Sequence, residues 1–446
     1  MMKRFLKALT RVTAFTILTM AGVCSSAALA GVHVMGLRIY ANGDEYQVPI
    51  ITQAGYITIE FDVDTPVPPN LQILFTHASK DWVPDNNIFL NDSYHNRSQS
   101  LLFTTAPNGV RYYTFHYRNS FPDSMNVVRF LYSGNYIFSI FEKEHENAIL
   151  AEGRFIVVEN LVPTSMTVAN RYYPETASPY NQMHFITVHV DVPPGDNQSE
   201  ENGLFHPNVK TVDIFQNWKL YNPFRVDVDN RTPDTFVEDF TMPSKIFTIR
   251  NVPPGNEYRR LDLSSGKFYP NYVPVQLIGG ADLSRFQWQG SLDANGAAKL
   301  RPFTGGNSEY LDVTMRLKLP SPARKRIFLV GAFNAWMPLT QYEMTDDSSS
   351  GEYRCRLWLR RGVYDYQYVL GDVDNNGTII NQDWLALEGN DWRTTEHYTA
   401  VVYYRDNRFG GFDRAVGMAA AKSPGGTEET KPDDRLSAPP YTRGVN

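Results

Sequence analysis

Apolar and polar residues alternate with period two through most of the chain. Ile57, Ile59, Phe61 and Val63 alternate with Thr58, Glu60 and Asp62. Ile186, Val188, Val190 and Val192 alternate with Thr187, His189 and Asp191, and Leu311, Val313, Met315, Leu317 and Leu319 with Asp312, Thr314, Arg316 and Lys318. Successive side chains of a strand point to opposite faces, so each run puts one apolar face against a core and one polar face away from it. Turn residues punctuate the runs: Pro68-Pro69-Asn70, Pro107-Asn108-Gly109, Ser133-Gly134-Asn135, Pro193-Pro194-Gly195 and Pro253-Pro254-Gly255. No stretch sustains a 3.6-residue period. The pattern predicts an all-β chain of tandem immunoglobulin-like β-sandwiches.

Breaks in the pattern give expected boundaries. Arg154–Val158 reads as a closing strand before Asn160-Leu161-Val162-Pro163, and Leu319-Pro320-Ser321-Pro322 precedes a new strand at Ile327–Val330. The expected units are a first sandwich over 31–160, a second over 161–319 and a C-terminal β module over 320–416. From 417 to 446 large apolar residues nearly vanish, and a disordered tail is expected. Residues 1–30 carry Lys3, Arg4, Lys7 and Arg11, an apolar run Val12–Met20 and Ala28-Leu29-Ala30. That order reads as a secretory signal peptide cleaved after Ala30, with a run shorter than the roughly 20 residues of a spanning helix. Cys24 lacks the lead-in of a lipoprotein site.

Composition narrows the class. Once the signal is removed, Cys355 is the one remaining cysteine, so no internal disulfide can form, which suits a bacterial envelope protein. A net charge of −6 gives no electrostatic case for nucleic acid. No later stretch is apolar enough to span a bilayer as a helix.

The search for chemistry finds no zinc-protease, redox-cysteine, nucleophile-elbow or phosphate-loop motif, and no enzyme or cofactor is expected. His184 and His189 are an odd number apart and should face opposite ways on one strand. Glu142, Glu144 and Glu146 read as a solvated face. Asp372, Asp374, Asn376, Gly377 and Asp383 occupy positions 1, 3, 5, 6 and 12 of a calcium-loop spacing. The same residues also read as an Asn-Gly hairpin turn between strands Tyr364–Leu370 and Thr378–Trp384, and Asp383 stands where the bidentate Glu belongs.

The C-terminal segment Ile327–Trp336, with Phe333-Asn334-Ala335-Trp336, followed by Gly362-Val363-Tyr364-Asp365-Tyr366, resembles the starch- and glycogen-binding immunoglobulin-like modules. That resemblance implies Trp336, helped by Trp384, as a sugar platform; packing into a sandwich core is the competing and commoner arrangement. In Tyr353–Arg360, Cys355, Leu357 and Leu359 share one face while Arg354, Arg356, Trp358 and Arg360 share the other. A Trp among three Arg suits a partner surface, or a face covered by a neighbouring domain.

Taken in order, short segments across residues 36–414 resemble one family, the plug protein of the type IX secretion system. They are Gly36–Tyr40, His77-Ala78-Ser79-Lys80-Asp81-Trp82, Tyr132–Tyr136, Gln216-Asn217-Trp218, Gly255–Arg259, Phe333–Trp336, Glu388-Gly389-Asn390, Thr395–Tyr398 and Tyr403-Tyr404-Arg405. Lys80 departs from the family's Ala before Asp-Trp. The resemblance implies a non-enzymatic protein of the Gram-negative periplasm, associated with the outer membrane. It would bind a very large translocon barrel and close its periplasmic opening. A carbohydrate-binding envelope protein acting on glucan through the C-terminal module is the alternative.

Overall fold

The computed structural model describes residues 31–424 apart from 126, 173–181, 193–203, 240–242, 285–292 and 348. The expected signal peptide, with Cys24, lies outside the described residues, as does the chain from 425 onward. Strands dominate, with only short 3-10 turns between them. No helix is long and apolar enough to cross a membrane among the described residues.

Six sheets pair into three sandwiches. In the first, a sheet ordered Val34–Ala41, Ile57–Val63, Phe115–Phe121, Phe103–Thr105 faces one containing Leu71–Ala78, Gly134–Glu142 and Ile149–Val158. Ile59, Phe61, Ile73, Phe75, Phe138 and Phe155 fill the space between them. Stripping such apolar surface from water is the main drive to fold, about 25 cal/mol per Å².

The second sandwich is discontinuous. One sheet joins Thr164–Tyr172, Gln182–Asp191, Ser244–Val252 and Thr235–Asp239. The facing sheet is ordered Phe224–Asp227, Val209–Gln216, His397–Asp406, Phe412–Lys422. The pairing of Val212 with Val402 and Ile214 with Ala400 brings the end of the described chain back into its middle. The third sandwich is therefore an insertion between Val252 and His397. Its sheets are built on the long strand Gly362–Val373 and on the pair Tyr310–Lys318 and Glu352–Arg360.

Two expected boundaries are corrected by this topology. The break near 320 separates no sheets, because strands on both sides of it form the third sandwich, from Arg259–Asp262 to Ile379–Asp383. The tail expected from 417 begins inside the strand Phe412–Lys422, whose alanines Ala419 and Ala421 pack on the second core. Small side chains made that strand look like a linker, but its backbone completes the sheet edge.

Candidate docking surfaces and domain junctions

The three sandwiches meet through built interfaces. Between the first and second, Ala78, Ile137, Ile156, Phe215, Leu220, Val401 and Tyr403 form one buried apolar cluster. The segment His77–Trp82 sits there. The His77 ring, fully buried, contacts Asp85 at 2.6 Å and the Ser133 carbonyl at 3.0 Å. Trp82, at φ +60°, donates from Nε1 to the Leu220 carbonyl at 3.3 Å.

Between the first and third sandwiches the contact is ionic. Asp62 accepts from the Tyr310 hydroxyl at 2.8 Å and lies 2.7 Å from His116 Nδ1. Burial works to raise the Glu60 carboxyl, but Arg38, His116 and Arg360 outweigh it and hold it below the usual carboxylate range. Glu309 accepts from the backbone of Arg111 at 2.6 Å and of Tyr112 at 3.3 Å.

The residues singled out in the sequence fall in different places. Asn334 bonds Gly331 N at 2.9 Å and the Leu329 carbonyl at 3.0 Å, folding a tight turn in which Ala335 (φ +51°) and Trp336 (φ +60°) are left-handed. The turn tips the indole inward. Trp336 is 0 % exposed, 4.2 Å from the Tyr258 ring, and donates to the Gly296 carbonyl at 2.7 Å. It cannot be a sugar platform as it stands, so that expectation is corrected: the side chain is core. Trp384 is half-buried, donates to Gln382 Oε1 at 3.0 Å and lies under the Lys219 ammonium at 4.7 Å. Burial presses that ammonium down to about 8 against the pull of Glu396.

On Glu352–Arg360 the alternation holds, with Cys355, Leu357 and Leu359 buried. The opposite row runs from solvent into an interface. Arg354 pairs with Asp347 at 3.0 Å, and Arg356 grips Asp312 through two bonds of 2.6 and 2.7 Å. Trp358 is 45 % exposed and meets Tyr112 of the first sandwich edge-on at 4.7 Å. Arg360 is covered, 3.4 Å from Glu60 and 3.5 Å from Asp62. Placing it on an open partner surface is thus corrected: the first sandwich is the neighbour that covers it.

The calcium-spaced residues form the hairpin turn. Asp374 accepts from the backbone of Asn376 at 2.9 Å and Thr378 at 2.8 Å, and Asp383 from Leu385 at 3.0 Å and Ala386 at 2.9 Å. Asp372 faces Lys325 at 3.5 Å. The carboxylates serve the turn, and among the described residues no group of three His, Cys, Asp or Glu is placed to hold a metal. His184 is buried against the Tyr398 hydroxyl at 2.7 Å while His189 is exposed, as their spacing requires. Burial lowers His184 to about 4. Glu142, Glu144 and Glu146 make only surface contacts, with His145, Asn70 and Arg97.

One surface escaped the sequence reading. Ile88 (77 % exposed), Phe89 (59 %), Leu131 (49 %) and Phe409 (37 %) lie at loop tips of the first and second sandwiches. The Phe89 and Phe409 rings stack at 5.2 Å, and Tyr132 meets Phe409 edge-on at 5.8 Å. Asn87 donates to the Phe409 carbonyl, and Phe409 itself is held at φ +52°. Large apolar side chains fixed at exposed tips, in a strained turn, mark a surface built to meet something. The signal was available: Ile88-Phe89-Leu90 is an apolar run without alternation between turn residues, and Phe409 precedes a Gly-Gly pair.

Comparisons with known proteins agree with the first-sandwich anatomy. A crystal structure of a hypothetical protein from Parabacteroides merdae superposes with a TM-score of 0.72 at 19 % identity, covering 87 % of this chain and 97 % of that one. At that identity the likeness shows the fold. No curated protein matches the chain. Residues 34–159, the first sandwich, match the first domain of the type 9 secretion system plug protein, and that match ties this sandwich to the type 9 secretion plug family.

Proposed function

We propose that the chain is a non-enzymatic, periplasmic plug component that docks beneath the outer-membrane translocon barrel of a type 9 secretion system and closes its periplasmic opening. The observation that carries this reading is the match of residues 34–159 to the plug protein's first domain. The build of the molecule supports it. A plug needs a stiff body and a presented surface, and here three sandwiches share buried apolar and ionic junctions. The exposed group Ile88, Phe89, Leu131 and Phe409 supplies the surface, since rigid aromatic anchors dominate the energetics of protein interfaces.

The test is capture of partners from solubilised outer membranes by the tagged chain, read by mass spectrometry. One very large barrel protein should be recovered near stoichiometrically. Phe89→Ser with Phe409→Ser should cut recovery at least tenfold while the unfolding free energy stays within the range of surface substitutions, about ±0.5 kcal/mol. If no membrane protein is enriched over a tag-only control, the plug reading fails. If the double variant captures the barrel as well as the parent, the assignment of the surface fails and the plug reading stands.

A further inference from the structure

Where the three sandwiches converge they leave a cleft of about 290 Å³. At the ~30 Å³ that a water molecule occupies in the liquid, this is room for roughly ten small heavy groups. Its walls are mostly apolar: Leu37, Ile39 and Ile137 from the first sandwich, Leu220 from the second, Met337 and Leu339 from the third. The turn that buries Trp336 forms part of the wall, with its two left-handed residues.

The charges in this wall are unequal. Arg38 is tied to Glu45 at 2.5 Å and to the Ala298 carbonyl at 3.1 Å, and Glu152 accepts from the Ser139 hydroxyl at 3.1 Å. Arg154 differs. Among the described residues its guanidinium has neither an ion-pair nor a hydrogen-bond partner, and it lies over the Trp82 ring at 5.2 Å. Burial depresses its basicity, and Glu152, two residues back on the strand, offsets that only in part. A second wall residue, Tyr221, has a buried hydroxyl without a partner. A buried donor left unmatched in a native fold calls for an explanation.

From the apolar walls, the uncompensated guanidinium and the unmatched phenol, we infer that this junction is a binding site for a small amphiphilic monoanion: an apolar body of about ten heavy atoms ending in a carboxylate. The carboxylate pairs with Arg154, which a guanidinium does through two parallel bonds, and the body fills the cleft. Such a ligand would touch all three sandwiches at once, and so would bind the packed arrangement and not the separated domains.

The experiment is isothermal titration of the full chain with sodium decanoate and, separately, with decan-1-ol, both below their aggregation limits. Decanoate should bind saturably at one site, at least tenfold more tightly than the alcohol. Arg154→Gln should bring decanoate down to the level of the alcohol and leave the alcohol unchanged. Ala335→Trp, at the rim, should weaken both at least tenfold with an unchanged unfolding midpoint; Leu37→Phe replaces it if that midpoint falls. Absence of saturable binding, equal affinity for acid and alcohol, or an Arg154→Gln variant that binds decanoate like the parent each overturns the proposal. So does undiminished binding by the filled variants.

Discussion

Replacing Trp336 separates a core residue from a sugar platform. The indole is fully buried among Tyr258, Val330 and Val369. A buried aromatic removes ~150–250 Å² from water, which at about 25 cal/mol per Å² is about 4–6 kcal/mol. Large-to-small aromatic truncations in cores cost about 3–5 kcal/mol, in agreement. Trp336→Ala should therefore destabilise the third sandwich by about 4 kcal/mol. Trp336→Phe keeps most of the apolar contact but leaves the Gly296 carbonyl, now 2.7 Å from Nε1, without its donor. An unsatisfied buried acceptor costs about 1–3 kcal/mol, so this variant should lie between the other two. The assay is urea unfolding followed by far-ultraviolet circular dichroism, which does not depend on the fluorescence of the residue removed. Three packed sandwiches need not unfold in one step, so the transition that moves is the one to analyse. A Trp336→Ala unfolding free energy within about 0.5 kcal/mol of the parent, the usual range for surface positions, would refute the reasoning and restore an exposed role.

Other perturbations test the junctions. Arg360→Ala takes one cation from the buried Asp62 and Glu60 while Arg38 and His116 remain near them, and should cost about 3 kcal/mol, the low end for a broken buried pair, in the same unfolding experiment. Gly134 stands at φ +135°, where an added Cβ would lie 2.4 Å from His77 Nε2 and 2.7 Å from the Asp413 carbonyl. Gly134→Ala should therefore loosen the contact between first and second sandwiches, seen as faster limited proteolysis. Burial pushes the Asp365 carboxyl up to about 7, although Gly296 and Ala294 donate to it. The folded state then holds a proton that the unfolded state has released, so stability should fall as the pH rises from about 4 to about 7. Asp365→Asn should flatten that slope, measured as unfolding midpoints across the range.

Much of the fold was legible because alternation reports which face of a strand is apolar. It does not report what lies over the polar face. Thr58, Glu60 and Asp62 were on the right side of their strand, yet every residue of Ile57–Val63 is buried. The polar face is covered by Tyr310 and Arg360, a charged surface matched to a charged surface. Arg360 was hidden for the same reason, since parity placed its side chain correctly and said nothing about a neighbour 300 residues away. The return of His397–Lys422 to the second sandwich is equally invisible locally, because pairing partners are chosen by topology and not by the strand's own pattern. The Phe89–Phe409 surface joins two loops that alternation does not describe.

The discontinuity of the second sandwich has a consequence for how the molecule assembles. A chain synthesised from its N-terminus can complete the first sandwich as soon as Ile149–Val158 is available. The third can close once Ile379–Asp383 has joined its sheet. The second must wait for His397–Lys422, holding Val212, Ile214 and Val226 uncovered while some 140 residues of insert fold beside it. The second sandwich is thus the last to be sealed, although the first and third already meet through Asp62, Tyr310 and Arg360. A deletion of the final hairpin would reach far beyond its own residues, leaving a chain with two finished ends and an open middle.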